Sequence, residues 1–299
     1  MMYKNKYIKA IGSPKIFSFT VMWMMVLVFI GTLVQRDLGL YVAQQEYFSS
    51  WFKWISFIPI PSGKLTMLIM FLNLSFYFFR PNIFKRNKLG ITITHSGVIL
   101  MLLGGALTSF FSHEGSVVIG EGETANFYEN YYMKEFAIVD TSHPDFDNFT
   151  IFNSKLLKKN NILSHKSLPY SIEVLDYFVN CKPASRIYAG SDEFKGMAQN
   201  FFLQEIKKEK EYERNISGII YRIVGSGEND GIYINYVGQP ITQTITVDNI
   251  DYMLILRRER TYLPFELSLL DFNKTMHPGT NIAKSYSSEV NLIEKNIAR

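Results

Sequence analysis

The stretch Ile16–Val34, IFSFTVMWMMVLVFIGTLV, runs for nineteen residues without a charge. A helix needs about 20 apolar residues to cross a hydrocarbon core of about 30 Å. Lys4, Lys6, Lys9 and Lys15 precede the stretch, and Gln35-Arg36-Asp37 follows it. A cleavable leader has a shorter apolar run and small residues at its end, so a retained anchor is expected. Two more apolar runs lie downstream, Leu65–Phe79 (LTMLIMFLNLSFYFF) and Ile91–Phe111 (ITITHSGVILMLLGGALTSFF). These predict three membrane spans, at about 16–34, 65–79 and 91–111.

Charge divides the chain at the same place. Residues 1–111 hold eleven Lys or Arg and two acids, whereas residues 112–299 hold twenty basic and twenty-five acidic residues. The overall charge of +4 is therefore a cancellation. Basic residues flank the apolar runs, with four lysines before the first span and Arg80, Lys85, Arg86 and Lys88 before the third. Such clusters stay in the cytoplasm. Three crossings then place residues 112–299 on the outer face. The polar half has no basic stripe with interleaved aromatics, which argues against nucleic acid as a partner.

Between the first two spans, Tyr47, Phe48, Trp51, Phe52 and Ile55 recur at helical spacing, opposite Gln45, Glu46, Ser49, Ser50 and Lys53. This predicts an interfacial amphipathic helix over about 42–56. An ordinary helix packed on the outer domain would show the same pattern.

The outer half reads as strands. Tyr170–Val179, Ser217–Val224, Gly231–Val237, Ile241–Val247, Tyr252–Arg257 and Phe265–Phe272 are β-branched or aromatic runs between Gly, Pro, Asn and Asp. The expected fold class is membrane α plus an extracytoplasmic, mainly β domain, sandwich- or barrel-like. Gln204–Arg214 (QEIKKEKEYER) reads as a charged helix or linker.

Chemistry concentrates at one residue. His95 lies inside the third span, about 9 Å from its cytoplasmic end at ~1.5 Å per residue. Ionisable groups at such depth are costly and point to function. Neutral imidazole ligates haem iron and other metals. A structural reading stands beside this one, because Asn73 of the second span falls at similar expected depth and could hydrogen-bond His95 across helices. Met22 of the first span offers a weaker His/Met pair. Gly97, Gly104 and Gly105 would admit a neighbouring helix. His113 sits at the outer mouth, and His143-Pro144 and His277-Pro278-Gly279 are turn sequences. The single cysteine, Cys181, excludes CxxC and CxxCH motifs, and is either inert or the target of a thiol-reducing partner. GxSxG, Walker A and HExxH motifs are absent, so no catalytic residue is assigned.

Several ordered motifs resemble the ResB (CcsB or Ccs1) proteins of cytochrome c biogenesis. They are Gly31-Thr32-Leu33-Val34-Gln35-Arg36-Asp37-Leu38-Gly39-Leu40-Tyr41, Glu114-Gly115-Ser116, and Glu121-Gly122-Glu123. Further on come Leu263-Pro264-Phe265-Glu266-Leu267 with Asp271-Phe272, then His277-Pro278-Gly279-Thr280 and Ser287-Ser288-Glu289-Val290. The resemblance implies a non-catalytic subunit of the system II holocytochrome c synthase. Its partners would be a Trp-rich CcsA/ResC-type membrane protein, apocytochrome c, thiol-reducing proteins and the lipid bilayer. Haem b would be transiently bound cargo, with His95 as an axial ligand of the haem iron and the second ligand on the partner. The implied location is the bacterial inner membrane, or the thylakoid membrane for a plastid-encoded chain. Trp23, Trp51 and Trp54 are the only tryptophans, so the Trp-rich motif must lie elsewhere. Family members continue into a fourth span, whereas Val290–Arg299 is polar, so the chain reads as a fragment or a shortened form. The competing class is a non-haem anchor whose outer β domain binds envelope or secretion partners.

Overall fold

The structure, a computed structural model, describes residues 6–79, 83–144, 146–187 and 191–294, the side chains of Lys6 and Ile8 excepted. Lys4 and Arg80, used above for orientation, and residues 295–299 of the polar tail lie outside the described residues. The chain divides into two compact units, Met1–Ser112 with Glu209–Tyr212, and His113–Lys208 with Glu213–Arg299.

The first unit opens with α1 (Lys6–Ile11) and α2 (Pro14–Leu38). Ser13 caps α2 by accepting from the Lys15 N–H at 3.3 Å, and Pro14 takes the first turn, where no N–H is needed. Gly39 ends the helix at φ 85°. A Cβ there would fall 2.0 Å from the Lys210 carbonyl oxygen, so both backbone angle and space require glycine. The Tyr41 and Tyr212 rings meet beside it at 4.5 Å.

The chain then folds back along α2. A short helix α3 (Leu40–Ala43) runs into a π turn at Gln44–Phe48, which lays the Phe48 ring on Gly31. A hairpin follows, β1 (Phe52–Ile55) with β2 (Ile58–Pro61). The Trp23 indole N–H donates to the Pro61 carbonyl at 2.9 Å. The next helix, α4 (Gly63–Tyr77), therefore starts beside the middle of α2 and runs toward its N-terminus. There the Asn73 amide donates to the Ser13 carbonyl at 2.9 Å and to that of Ile11. The third long helix is α5 (Leu89–Phe111).

Two expectations change here. Two helices, Pro14–Leu38 and the stretch Arg86–Phe111, are long and apolar enough to cross a membrane by length and composition. The α4 segment is not, because its 15 residues extend only about 22 Å. The reason is in the path, since residues 39–62 have already brought the chain partway back along α2. Likewise residues 42–56 are not one amphipathic helix: helical backbone stops at Phe48 and the hairpin begins at Phe52. Phe52, Trp54, Ile55, Ile58 and Ile60 favour extended backbone, and Ser56 takes φ 55° in the turn. The aromatic surface expected there is real but lies on the hairpin, with Trp54 and Phe57 62% and 81% exposed.

The second unit consists of antiparallel sheets. One sheet has β12 (Gln243–Val247), β13 (Ile250–Met276), β4 (Thr124–Asp140) and β3 (Gly115–Ser116) in that order, with β5 (Asn148–Asn153) also on β4 and β14 (Ala283–Glu294) also on β13. The other has the order β11 (Gly231–Tyr236), β10 (Gly218–Val224), β7 (Ser171–Phe178), β6 (Ile162–Leu163). Phe136, Ile138, Phe152, Leu254 and Leu256 of the first sheet bury against Ile172, Val174, Ile219, Tyr221 and Ile223 of the second. Burial of these rings and branched chains stabilises the unit by about 1.5–3 kcal/mol each before entropy is counted. The arrangement is two packed layers, and no barrel closes. A ribbon of β8 (Cys181–Ser185) and β9 (Phe201–Glu205) adds a smaller cluster of Cys181, Ala198, Leu203 and Ile234. Gln204–Arg214 is not a helix: it leaves β9 as irregular chain with a single 3-10 turn at Tyr212–Arg214.

Candidate ligand site on the third apolar helix

His95 sits on the second turn of α5 and is half-buried. The helix is anchored just before it, where the Thr92 hydroxyl donates to the Ile83 carbonyl at 2.7 Å. The imidazole Nδ1 is 2.8 Å from the Ile91 carbonyl oxygen, one turn back. A carbonyl only accepts, so Nδ1 carries a proton, and in the neutral imidazole Nε2 keeps its lone pair. This is the arrangement in which a metal-binding histidine is held by a backbone carbonyl through its other nitrogen. The Tyr77 ring stacks on the imidazole at 4.2 Å and 29°. Phe78 meets Tyr77 edge-on at 5.8 Å, and Phe84 meets Phe78 at 6.5 Å. The site thus offers one nitrogen ligand among aromatic rings, which fits a planar apolar ligand with a metal at its centre.

The partners weighed from sequence are elsewhere. Asn73 is one turn short of the histidine and spends its amide on the link between α1 and α2. No hydrogen bond joins it to His95 among the described residues. Met22 is next to Trp23, at the opposite end of α4 from Tyr77, about 20 Å away along the helix. It cannot share a ligand with His95. Among the described residues no group of three or more His, Cys, Asp or Glu could hold a metal ion. His113 is exposed, His143 stacks on Phe146 at 3.7 Å, and the His165 ring bonds the Ser167 hydroxyl at 2.7 Å. Burial drives the Cys181 thiol up to about 11, so it stays protonated and unreactive at neutral pH. The aromatic neighbours were missed in the sequence, where Phe76–Phe79 reads only as apolar filling.

A family model described as the ResB-like family matches residues 85–201, from the turn before α5 to the start of β9. Protein NrfI of Wolinella succinogenes is 24% identical over 205 residues, covering 67% of this chain and 19% of that protein. Both likenesses point the same way, and over residues 85–201 the chain is similar to ResB/CcsB-type proteins. The matched region contains His95 together with its helix and the first strands of the second unit. The chain spans about a fifth of the length of the curated relative that it matches. The apolar helices and the ResB-like region together fit a membrane protein. Exposed Leu100 and Met101, at 71% and 77%, make sense on a helix whose solvent is lipid.

Proposed function

We propose that this chain is the haem-handling membrane subunit of a system II cytochrome c synthase complex. The observation that carries the reading is the His95 imidazole. Its Nδ1–H is tied to the Ile91 carbonyl, and its Nε2 lone pair is left for a ligand. When bound, haem would supply an iron centre that takes nitrogen ligands. His95 would hold it through Nε2, together with a histidine of a CcsA/ResC-type partner. The Tyr77 stack restricts rotation of the imidazole, so the lone pair keeps one direction. In this reading α2 and α5 cross the bacterial inner membrane, and residues 39–77 together make the return crossing. The N-terminus is then cytoplasmic, and residues 112–299 face the compartment where apocytochrome c is matured. Thioether formation belongs to the partner, and this chain is not itself catalytic.

The test is co-expression with a CcsA-type partner, purification in detergent and a visible spectrum. Wild type should carry a Soret band, His95→Ala should lose it, and added imidazole should restore part of it to His95→Gly. An unchanged band in His95→Ala refutes the ligand assignment. A wild-type complex without haem refutes the haem reading and favours a non-haem anchor for envelope partners.

A further inference from the structure

Lys134 and Arg258 are directly opposed on β4 and β13. Both lie on the core face of the sheet, two residues from Phe136 and Leu256 respectively. Like charges facing each other across two strands are unfavourable. Here one of them is also buried, with Lys134 only 4% exposed. Among the described residues Lys134 makes no ion pair, and neither does Arg258. Arg258 donates from Nη2 to the Glu213 carbonyl at 3.2 Å, which fixes its plane without cancelling its charge. The acid whose charge reaches Lys134 is Glu129. Its Oε1 is already held by Arg260 through Nε and Nη2, both at 3.0 Å.

The backbone beside the pair is built out. Between the Arg258–Lys134 and Arg260–Glu129 pairs, one residue of β13, Glu259, is matched by four of β4, Asn130–Met133. The Asn130 side-chain oxygen accepts from the Tyr132 and Met133 N–H groups at 2.9 and 3.0 Å and holds this bulge. Bulges that interrupt a sheet next to charged residues recur at binding sites. An ammonium and a fixed guanidinium, side by side and lacking a carboxylate, fit an oxyanion.

We propose that Lys134 and Arg258, at the β4 bulge, form an oxyanion site that takes a phosphate group. The same chemistry could arrive as a phospholipid headgroup or as a free phosphate. The two sources are separated by the titration below. Burial and Arg258 together lower the Lys134 ammonium to about 8, as expected of a cation awaiting its counter-charge. The site is independent of the haem reading.

The experiment uses the full chain in a sugar-headgroup detergent, titrated with inorganic phosphate or with dihexanoyl phosphatidylglycerol, against chloride at equal ionic strength. Saturable binding beyond the chloride control supports the site. Tighter binding of the lipid identifies a headgroup, and tighter binding of free phosphate a soluble ligand. Affinity should fall at least tenfold in Lys134→Met and in Arg258→Gln, and persist in Lys134→Arg. The half-buried Arg258 position serves if Lys134→Met does not fold. Binding no stronger than chloride, or variants that bind like wild type, overturns the proposal.

Discussion

Replacing Lys134 by Met should stabilise the β-rich unit at neutral pH in phosphate-free buffer. The ammonium titrates at about 8 in the folded protein, against a usual 10.5, because burial and the facing Arg258 outweigh the attraction of Glu129. Between those two values the unfolded chain holds a proton that the folded chain has released. Stability contributed by this group therefore rises with pH across that window. Below about pH 8 the folded state carries the full cost of a buried, poorly paired cation. A shift of two to three pH units corresponds to roughly 3 kcal/mol at ~1.4 kcal/mol per unit, as an upper figure. Methionine keeps most of the apolar stem and removes the charge. The variant should melt several degrees higher at pH 7, given about 2–4 °C per kcal/mol for a unit of this size. The gap should close between about pH 8 and 10.5. Cys181, raised to about 11, and Tyr233, raised to about 12, lose their contributions at high pH, but do so in both proteins and cancel in the difference. All three tryptophans lie at positions 23, 51 and 54, so indole fluorescence is blind to this unit and far-ultraviolet circular dichroism is the readout. A variant less stable than wild type at pH 7, or a gap that is constant from pH 7 to 10, refutes the reasoning.

Two further outcomes test the packing. A Cβ on Gly218 would lie 2.4 Å from the Cys181 sulfur and 2.8 Å from Leu203, so Gly218→Ala should cost about 1–3 kcal/mol, read from melting. Adding Cys181→Ala should recover part of that loss, giving a coupling that a double-mutant cycle detects. The Arg257 Nε donates to Glu135 at 2.7 Å in a pair almost wholly buried, and the Arg257 Nη2 has no hydrogen-bond partner among the described residues. Glu135→Leu alone should cost about 3–5 kcal/mol, while Glu135→Leu with Arg257→Met should cost clearly less, since the second change removes the stranded charge.

Much of this was legible in the sequence, and the failures have physical causes. The strands at Ser217–Val224 and Gly231–Val237 were found to within a residue, because both faces of β10 and β11 are covered and the apolar runs are dense. Tyr252–Arg257 and Phe265–Phe272 looked like two strands separated at Leu263-Pro264. They are one strand, β13, whose pairing with β4 shifts register between Tyr262 and Leu267. Proline is tolerated at such a shift because no ladder hydrogen bond is required of it. β14 left no apolar pattern to read, since all but its first residue are exposed and its pairing to β13 is carried by backbone. In the first unit, His95 stood out by chemistry, but its neighbour did not. Comparing depths assumed that the second apolar helix reached Phe79 and lay level with α5. The α4 helix stops at Tyr77, and its placement against the N-terminal half of α2 depends on a fold-back set by Gly31, Phe48 and Trp23, contacts that no local period encodes.

The length of β13 has a mechanical consequence. Its 27 residues give about 90 Å of contour at ~3.3 Å each. The first part is clamped between β12 and β4, while the last part is paired with β14 as an exposed ribbon. Tension applied along β14 from its far end would open that ribbon one rung at a time. The clamped part would instead be loaded in shear, with many rungs sharing the force. β14 can therefore peel and re-anneal while the layered core beneath it holds its shape.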